Sequence, residues 1–509
     1  MAAFVLSQLA GLVYQILAAD VFGTSAAMEA FNAANRVAET LFNLVAGGAL
    51  ASAFIPIFTG LLAKEKREKA WQLASSIFNI ALIVLIALSV LSAIFAPQIV
   101  RYVLAPGFAS EPAKEALTIN LVRLMLPSAV IFGVSGLVMG ILNAHQIFLF
   151  PALAPSMYRL GMIFGTLVLA PKMGIYGLAW GVLIGASLHL LLQLPVLLWL
   201  KGRKYSRMLG LAIPEVREVF RLMGPRLLGV AVVQINFWVN IYIASHLVEG
   251  SVTGIVYAFT LMLMPQAAIA QSIATAAMPT LSAQYAKGKI DDLRNSLSGS
   301  LRGVLLLSAP AAVGLIVLRK PIVALLLQRG KFTAHSTELV SWALLWYAIG
   351  LVGHSVLEVL ARSFYAIHDT KTPVFVGVGA MSLNIVLSFL FASWFGKIGW
   401  MPHGGLALAN STATAFEAGL LLFLMRKRLH GIRGERVLDA FMKAVAGSVL
   451  MGGILWGWMA VFSGRSLWLV GGGGVLAGTL VYLLWVVLLR VDEAGFALTY
   501  LKRRFKQRR

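Results

Sequence analysis

The chain has no cysteine, which excludes a disulfide framework, a thiolate nucleophile and a thiolate-bound metal. Charge is scarce too: Asp, Glu, Lys and Arg make up 12% of 509 residues, about half the share usual in a soluble protein. Acids are the scarcer sign, 20 against 42 basic residues. They fall mostly between apolar stretches, and no pair is spaced for metal-assisted glycosyl or phosphoryl transfer. Also missing are the Gly-x-x-x-x-Gly-Lys-Ser/Thr phosphate loop, the His-Glu-x-x-His zinc motif and the Gly-x-Ser-x-Gly elbow. The chain is therefore not expected to be an enzyme or to hold a cofactor. Work would come from a coupling ion (Na+ or H+), the membrane potential or the substrate's own gradient.

What is present is apolar: 59% of residues are hydrophobic and the mean hydropathy is +0.85. About 14 stretches between residues 3 and 489 are long enough to span a bilayer, so the chain reads as an all-α polytopic membrane protein. Met1 to Leu17 lacks a basic leader and runs straight into the first stretch, so no cleavable signal is expected. The net charge of +22 does not point to nucleic acid, because of where it sits. With the N-terminus in the cytoplasm, 26 Lys and Arg fall in cytoplasmic loops and the tail, against nine outside. That asymmetry predicts cytoplasmic termini, with contact to anionic membrane lipids as a secondary effect.

The sequence also repeats itself at an offset of about 223 residues. Ala49-Leu-Ala-Ser-Ala-Phe-Ile-Pro56 echoes Ser272-Ile-Ala-Thr-Ala-Ala-Met-Pro279, Ala63-Lys-Glu-Lys66 echoes Ala286-Lys-Gly-Lys289, and Gly177-Leu-Ala echoes Gly405-Leu-Ala. The offset covers six spans, an even number, so the copies insert with the same orientation, and a site is expected between them. The predicted organisation is two pseudo-symmetric six-helix lobes, 1–205 and 206–430. Residues 431–509 add two helices, in which Gly471 to Gly474 permit close packing, and a basic tail expected to lie on the membrane surface.

Polar residues inside the spans are few. Glu29, Asn32, Arg36, Glu39 and Asn43 advance by three, four, three and four residues, so they share one face of a helix. A charge at the bilayer centre costs at least ~2.5–3.5 kcal/mol, so that face must meet other helices or water. A buried polar seam and the wall of a hydrated cavity both satisfy this, and five polar positions over four turns favour the cavity. Elsewhere, His354, Glu358 and Arg362 step by four, as an ion-pair ladder or as cavity lining. Arg159, Glu417, Asn236, Asn240, Asn384 and Asn410 complete the set, with Arg123 and Arg226 placed to snorkel and His189 read as a satisfied interior histidine.

Leu104-Ala-Pro-Gly-Phe108, Met223-Gly-Pro225 with Leu228-Gly229, Arg329-Gly-Lys-Phe-Thr333, and Phe364-Tyr365 with Asp369-Thr-Lys-Thr-Pro373 resemble the motifs of the MurJ/MviN family. These are lipid II flippases of the multidrug/oligosaccharidyl-lipid/polysaccharide exporter superfamily, and the resemblance runs along essentially the whole chain. It implies movement of the undecaprenyl-diphosphate-linked peptidoglycan precursor to the outer leaflet of a bacterial inner membrane, by alternating access of a central cavity. It also implies a lipid-tail groove at the last two spans and contact with the cell-wall synthesis machinery.

The family's helix 1 carries an Arg and an Arg-Asp pair where this chain has Gln8, Tyr14 and Gln15, and its helix-8 Asp-Arg pair matches Phe259 and Thr260. The resemblance thus leaves Arg36 as the leading phosphate contact, Glu29 and Glu39 as charge-tuning or gating groups, and Arg159 and Arg362 as replacement cations. Asn240 and Asn384 match ligand positions of a sodium site found in some members, and Ser388 stands where those members have an acid, which implies a weakened site. Members usually begin about ten residues earlier, so Met1 is read as a candidate misplaced start. Two further readings stay open. One is an exporter of another undecaprenyl-linked polysaccharide or of amphipathic cations, since acids outnumber Arg36 on the stripe. The other is a non-transporting scaffold of cell-wall assembly.

Overall fold

A computed structural model describes residues 2–45 and 48–489, and among them every regular element is a helix. The principal helices are α1 (Ala2–Phe22), α2 (Ala26–Val45), α3 (Gly48–Ala63), α4 (Arg67–Ile94), α5 (Pro112–Ala144), α6 (Leu149–Met173), α7 (Ile175–Trp199) and α8 (Pro214–Ser245). Then follow α9 (Ser251–Ala286), α10 (Ile290–Leu327), α11 (Ala334–Ala366), α12 (Lys371–Lys397), α13 (His403–Arg428), α14 (Gly434–Val461) and α15 (Trp468–Leu488). This is the expected all-α architecture: with no water in the hydrocarbon, each backbone group must be paired within its own segment.

Of the described helices, 12 are long and apolar enough to span, and Leu6–Phe22 and Ala53–Ala63 are shorter apolar runs. The other two expected stretches, 3–21 and 29–61, fall on α1 and on α2 with α3, the second of them as two helices. The side chain of Arg226 and the basic tail 490–509 lie outside the described residues.

The chain packs as two compact units: Met1–Thr253 with Arg329–Thr333, and Gly254–Gln328 with Ala334–Arg509. In the first unit α8 packs against α2, α3 and α4, so the helix expected to open the second lobe is held by the first unit. Phe54, Phe58, Trp71, Leu73 and Ile77 form a core there with Val216, Val219 and Met223 of α8. Between spanning helices such contacts act through close packing, because lipid tails are as apolar as the side chains they replace.

Two of the family-like motifs hold helix ends in this unit. In the 104–108 motif, a Cβ on Gly107 would sit 2.0 Å from the Ser245 carbonyl oxygen, and the Gly107 N–H donates to Ser245 Oγ at 3.1 Å. In the 329–333 motif, Gly330 has φ +50° and a Cβ there would lie 2.3 Å from Asp20 Oδ1. The Lys331 N–H donates to the Asp20 carbonyl at 2.8 Å, and Phe332 is buried. Any side chain at Gly107 or Gly330 would push these backbones apart.

In the second unit, Leu297, Leu301, Leu360, Phe364, Leu421 and Met425 join α10, α11 and α13. The last two helices attach to α10. Leu318 packs with Met451, Leu455 and Tyr482, and the Tyr482 hydroxyl donates to the Leu306 carbonyl at 2.7 Å. The glycine run brings α15 close: a Cβ on Gly474 would be 3.1 Å from Leu318.

The Asp369 motif ties α12 to α13. Asp369 Oδ1 accepts the Thr372 N–H at 3.0 Å, while Oδ2 accepts the Thr372 hydroxyl at 2.7 Å and Arg428 at 2.6 Å. Burial alone would raise this carboxyl's pKa, but the Thr372 hydrogen bonds and the Arg428 charge outweigh it and hold the pKa below its ordinary 3.8. A depressed carboxylate contributes stability above its unfolded pKa, lost as pH falls through the folded value. Asp369→Ala should therefore lower stability by about 1–2 kcal/mol at neutral pH. Thermal unfolding in detergent should show the gap to wild type closing as pH falls below the ordinary 3.8 and through the lower folded value.

Candidate functional site

Alanine is the best helix former, and α2 is rich in it. Ala30, Ala33, Ala34, Phe31 and Val37 are buried, and α2 packs closely on α5. Its polar face borders a cavity of about 330 Å³, lined by Asn35, Glu39 and Asn43 with Phe132, Tyr158 and His189 from α5, α6 and α7. Arg36 Nη1 lies 2.9 Å from Glu39 Oε2, and Asn35 Nδ2 donates to Glu39 Oε1 at 2.6 Å. The Arg36 guanidinium also sits 4.3 Å from the Phe237 ring centroid. Arg36 is thus neutralised, at 19% side-chain exposure, while Glu39 is 40% exposed. One turn on, Thr40 accepts from Trp238 Nε1 at 2.8 Å and donates to Gln234 at 3.3 Å, which binds α8 to α2.

Arg159 stands apart. It is half-buried on α6, 5.6 Å from the Tyr158 ring, in the space left by the missing side chain of Gly11 on α1. Among the described residues no carboxylate is within ion-pair distance of it. Arg36 and Glu39 cancel, so this region of the first unit keeps one net positive charge from Arg159. His189 is satisfied as expected, 2.6 Å from Ser135 Oγ, which also accepts Gln193 Nε2 at 3.0 Å.

Glu29 is not part of an open wall, which corrects the reading of the stripe. Its side chain is 2% exposed and its Oε2 lies 2.7 Å from Lys114 Nζ, while Oε1 accepts the Val252 N–H at 2.8 Å. Lys114 sits 4.2 Å from the Phe108 ring, and exposed Glu111 stands 3.7 Å away. Asn32 donates to Thr253 Oγ1 at 3.1 Å, and the Ala26 N–H donates to Glu249 at 2.7 Å. This end of α2 is a polar seam with Glu29 and Lys114 buried in it, so the stripe divides: Glu29 and Asn32 seal a helix end, and Glu39 and Asn43 line a cavity. On α1, Gln8 is exposed and Gln15 buried, and neither is hydrogen-bonded to the stripe.

In the second unit the ladder on α11 is half formed. Glu358 pairs with Arg362 at 2.6 Å, and Arg362 also reaches Thr275, whereas His354 bonds Asn410 of α13 at 3.0 Å. The Thr260 hydroxyl is turned back on the Val256 carbonyl at 2.9 Å. Glu417 is buried against Gly377, with no ion-pair partner among the described residues.

Ser388 donates to Asn384 Oδ1 at 3.1 Å, and Asn240 Nδ2 lies 3.5 Å from Asn236 Oδ1 in the first unit. These side chains offer neutral oxygens and no carboxylate of their own to balance a cation.

Sequence reading missed Lys114, Asn35 and Tyr158. Asn35 stands four residues before Glu39, a helix-pair signal present in the chain. Nothing near Lys114 marks its partner, which is 85 residues away.

The family model described as lipid II flippase MurJ matches residues 18–471. A lipid II flippase MurJ of Burkholderia cenocepacia is 30% identical, covering 98% of this chain and 97% of its own length. A probable lipid II flippase MurJ of Vibrio cholerae is 31% identical over 89% of this chain and 86% of its own. Among solved structures, a lipid II flippase MurJ in an inward closed conformation superposes with a TM-score of 0.82 at 27% identity, covering 96% and 98% of the two chains. An inward-facing multidrug resistance MATE family transporter of the MOP superfamily shares the fold alone, with a TM-score of 0.67 at 17% identity. A multi-pass helical chain with these motifs, matched end to end in this way, belongs to the lipid II flippase MurJ family.

Proposed function

We propose that this chain translocates lipid II, the lipid-linked peptidoglycan precursor, from the cytoplasmic to the periplasmic leaflet of a bacterial inner membrane. Both termini lie in the cytoplasm, on the side that the basic loops mark. The observation that carries the reading is Arg159, a half-buried cation with no carboxylate in ion-pair distance among the described residues, stacked near Tyr158, whose side chain lines the cavity, in a chain of this family. A guanidinium matches two phosphate oxygens at once, so Arg159 contacts the diphosphate. The Arg36–Glu39 pair keeps the cavity close to neutral, which lets a bound anion leave again.

Alternating access requires an end that closes. The seam supplies it at the less basic side: Lys114 fixes the Glu29 carboxylate, whose bond to the Val252 N–H ties the start of α9 to α2 and is the contact that opening breaks. The membrane potential acts on the charge of the loaded site and drives the step. The net positive charge disfavours an exporter of amphipathic cations. Another undecaprenyl-linked glycan would carry the same phosphate chemistry, and function separates it from lipid II. Expression in a bacterium depleted of its own flippase should restore growth and bring lipid II to the outer leaflet. Normal membrane levels of folded protein without rescue would overturn the proposal.

A further inference from the structure

Each unit carries an apolar groove with a basic mouth, on helices that correspond in the repeat. In the first unit the groove, about 540 Å³, runs along Phe78 of α4, Leu137 of α5 and Leu190, Leu194 and Leu198 of α7. Its mouth is Arg203 and Lys204. In the second unit a groove of about 1190 Å³ runs along Leu301 of α10, Val352 of α11 and Ala418 and Leu422 of α13. Its mouth is Arg426, Arg433 and Arg436. The offset of 223 residues carries Phe78 onto Leu301, and the 228 separating Gly177 from Gly405 carries Leu190, Leu194 and Leu198 onto Ala418, Leu422 and Arg426.

The mouths are built features. In the first unit Asn79 of α4 donates to the carbonyls of Ser206 at 3.0 Å and Met208 at 2.9 Å and accepts the Tyr205 hydroxyl at 2.6 Å. Ser75 Oγ accepts the Ser206 N–H at 3.1 Å. These bonds hold the basic loop along the groove. In the second unit Arg433, with φ 52°, caps α14, so that the free N–H groups of its first turn enter the same groove at Gly434 and Glu435.

Charge and length select the occupant. No carboxylate pairs with Arg203, Arg426, Arg433 or Arg436 among the described residues, and Glu435 is the single acid lining the second mouth. Lys204 reaches only Glu68, at 3.8 Å and with both side chains exposed. From Leu190 to Leu198 a helix rises about 12 Å, close to the ~15 Å depth of one leaflet's hydrocarbon. A compact soluble anion would leave that length empty.

The geometry points to two repeat-related binding sites for anionic diacyl phospholipid, each taking an acyl chain along the groove and its phosphate at the basic mouth. Neither site depends on lipid II being the transported substrate.

The test is native mass spectrometry of the full chain after delipidation, titrated with palmitoyl-oleoyl phosphatidylglycerol or phosphatidylcholine. The expected result is two phosphatidylglycerol molecules held at least tenfold more tightly than phosphatidylcholine, since each Lys or Arg near an anionic surface contributes roughly fivefold and each mouth carries at least two. The pair R433Q and R436Q removes one molecule, and R203Q with K204Q removes the other. Leu194→Trp and Leu422→Trp, which fill the grooves and leave the charges, each weaken one site. Equal retention of both lipids, or unchanged counts in both charge variants, would overturn the proposal. Displacement by millimolar inorganic phosphate alone would overturn it too, by assigning the mouths to a soluble anion.

Discussion

Replacing Lys114 with methionine should destabilise the protein by about 3–5 kcal/mol, the usual result of leaving one member of a buried ion pair alone. Glu29 would remain buried with only backbone N–H groups, those of Val252 and Gly250, as partners. The double variant Glu29→Gln with Lys114→Met should recover most of the loss, because it removes both charges and keeps an acceptor for Val252. Thermal unfolding of wild type, both single variants and the double variant gives the coupling directly. If the seam also closes the outer end during transport, Lys114→Met should leave that end more open to a membrane-impermeant thiol reagent at Ala26→Cys. A single variant as stable as wild type would mean that the two side chains do not meet.

Arg159→Ala should weaken lipid II binding by roughly ten- to a hundredfold, since a hydrogen-bonded contact between two charges contributes about 1.5–3 kcal/mol. Arg36→Ala should also weaken it, through a different route: it leaves Glu39, 40% exposed at the cavity, as an uncancelled negative charge facing an anionic headgroup. The double variant Arg36→Ala with Glu39→Ala restores the charge balance and should bind close to wild type. Binding to purified protein in detergent, measured for all four forms, separates a phosphate contact from a background charge. Loss in the double variant equal to that in Arg36→Ala alone would make Arg36 the direct contact.

The helical architecture was open to sequence reading because the bilayer leaves a chain few choices. Apolar length marks the spans, and the three-four spacing of Glu29 to Asn43 marks one face of α2. Periodicity gives a direction around a helix and says nothing about what lies opposite each turn. Glu29 and Glu39 share a face, yet one meets Lys114 across a buried seam and the other meets a cavity. Arg36 looked like a free cation because its partners are a neighbour on its own helix and the Phe237 ring, about two hundred positions along the chain. The motifs around Gly107, Gly330 and Asp369 were visible as patterns. Their physical roles, close backbone contact and helix capping, needed coordinates.

The most direct test of the central claim is reconstitution of the purified chain in liposomes holding fluorescent lipid II in one leaflet. The account predicts that lipid II reaches the opposite leaflet faster than in protein-free liposomes, and that Arg159→Ala removes most of the difference. Transfer no faster than in empty vesicles, with folded protein inserted and a membrane potential applied, would contradict it.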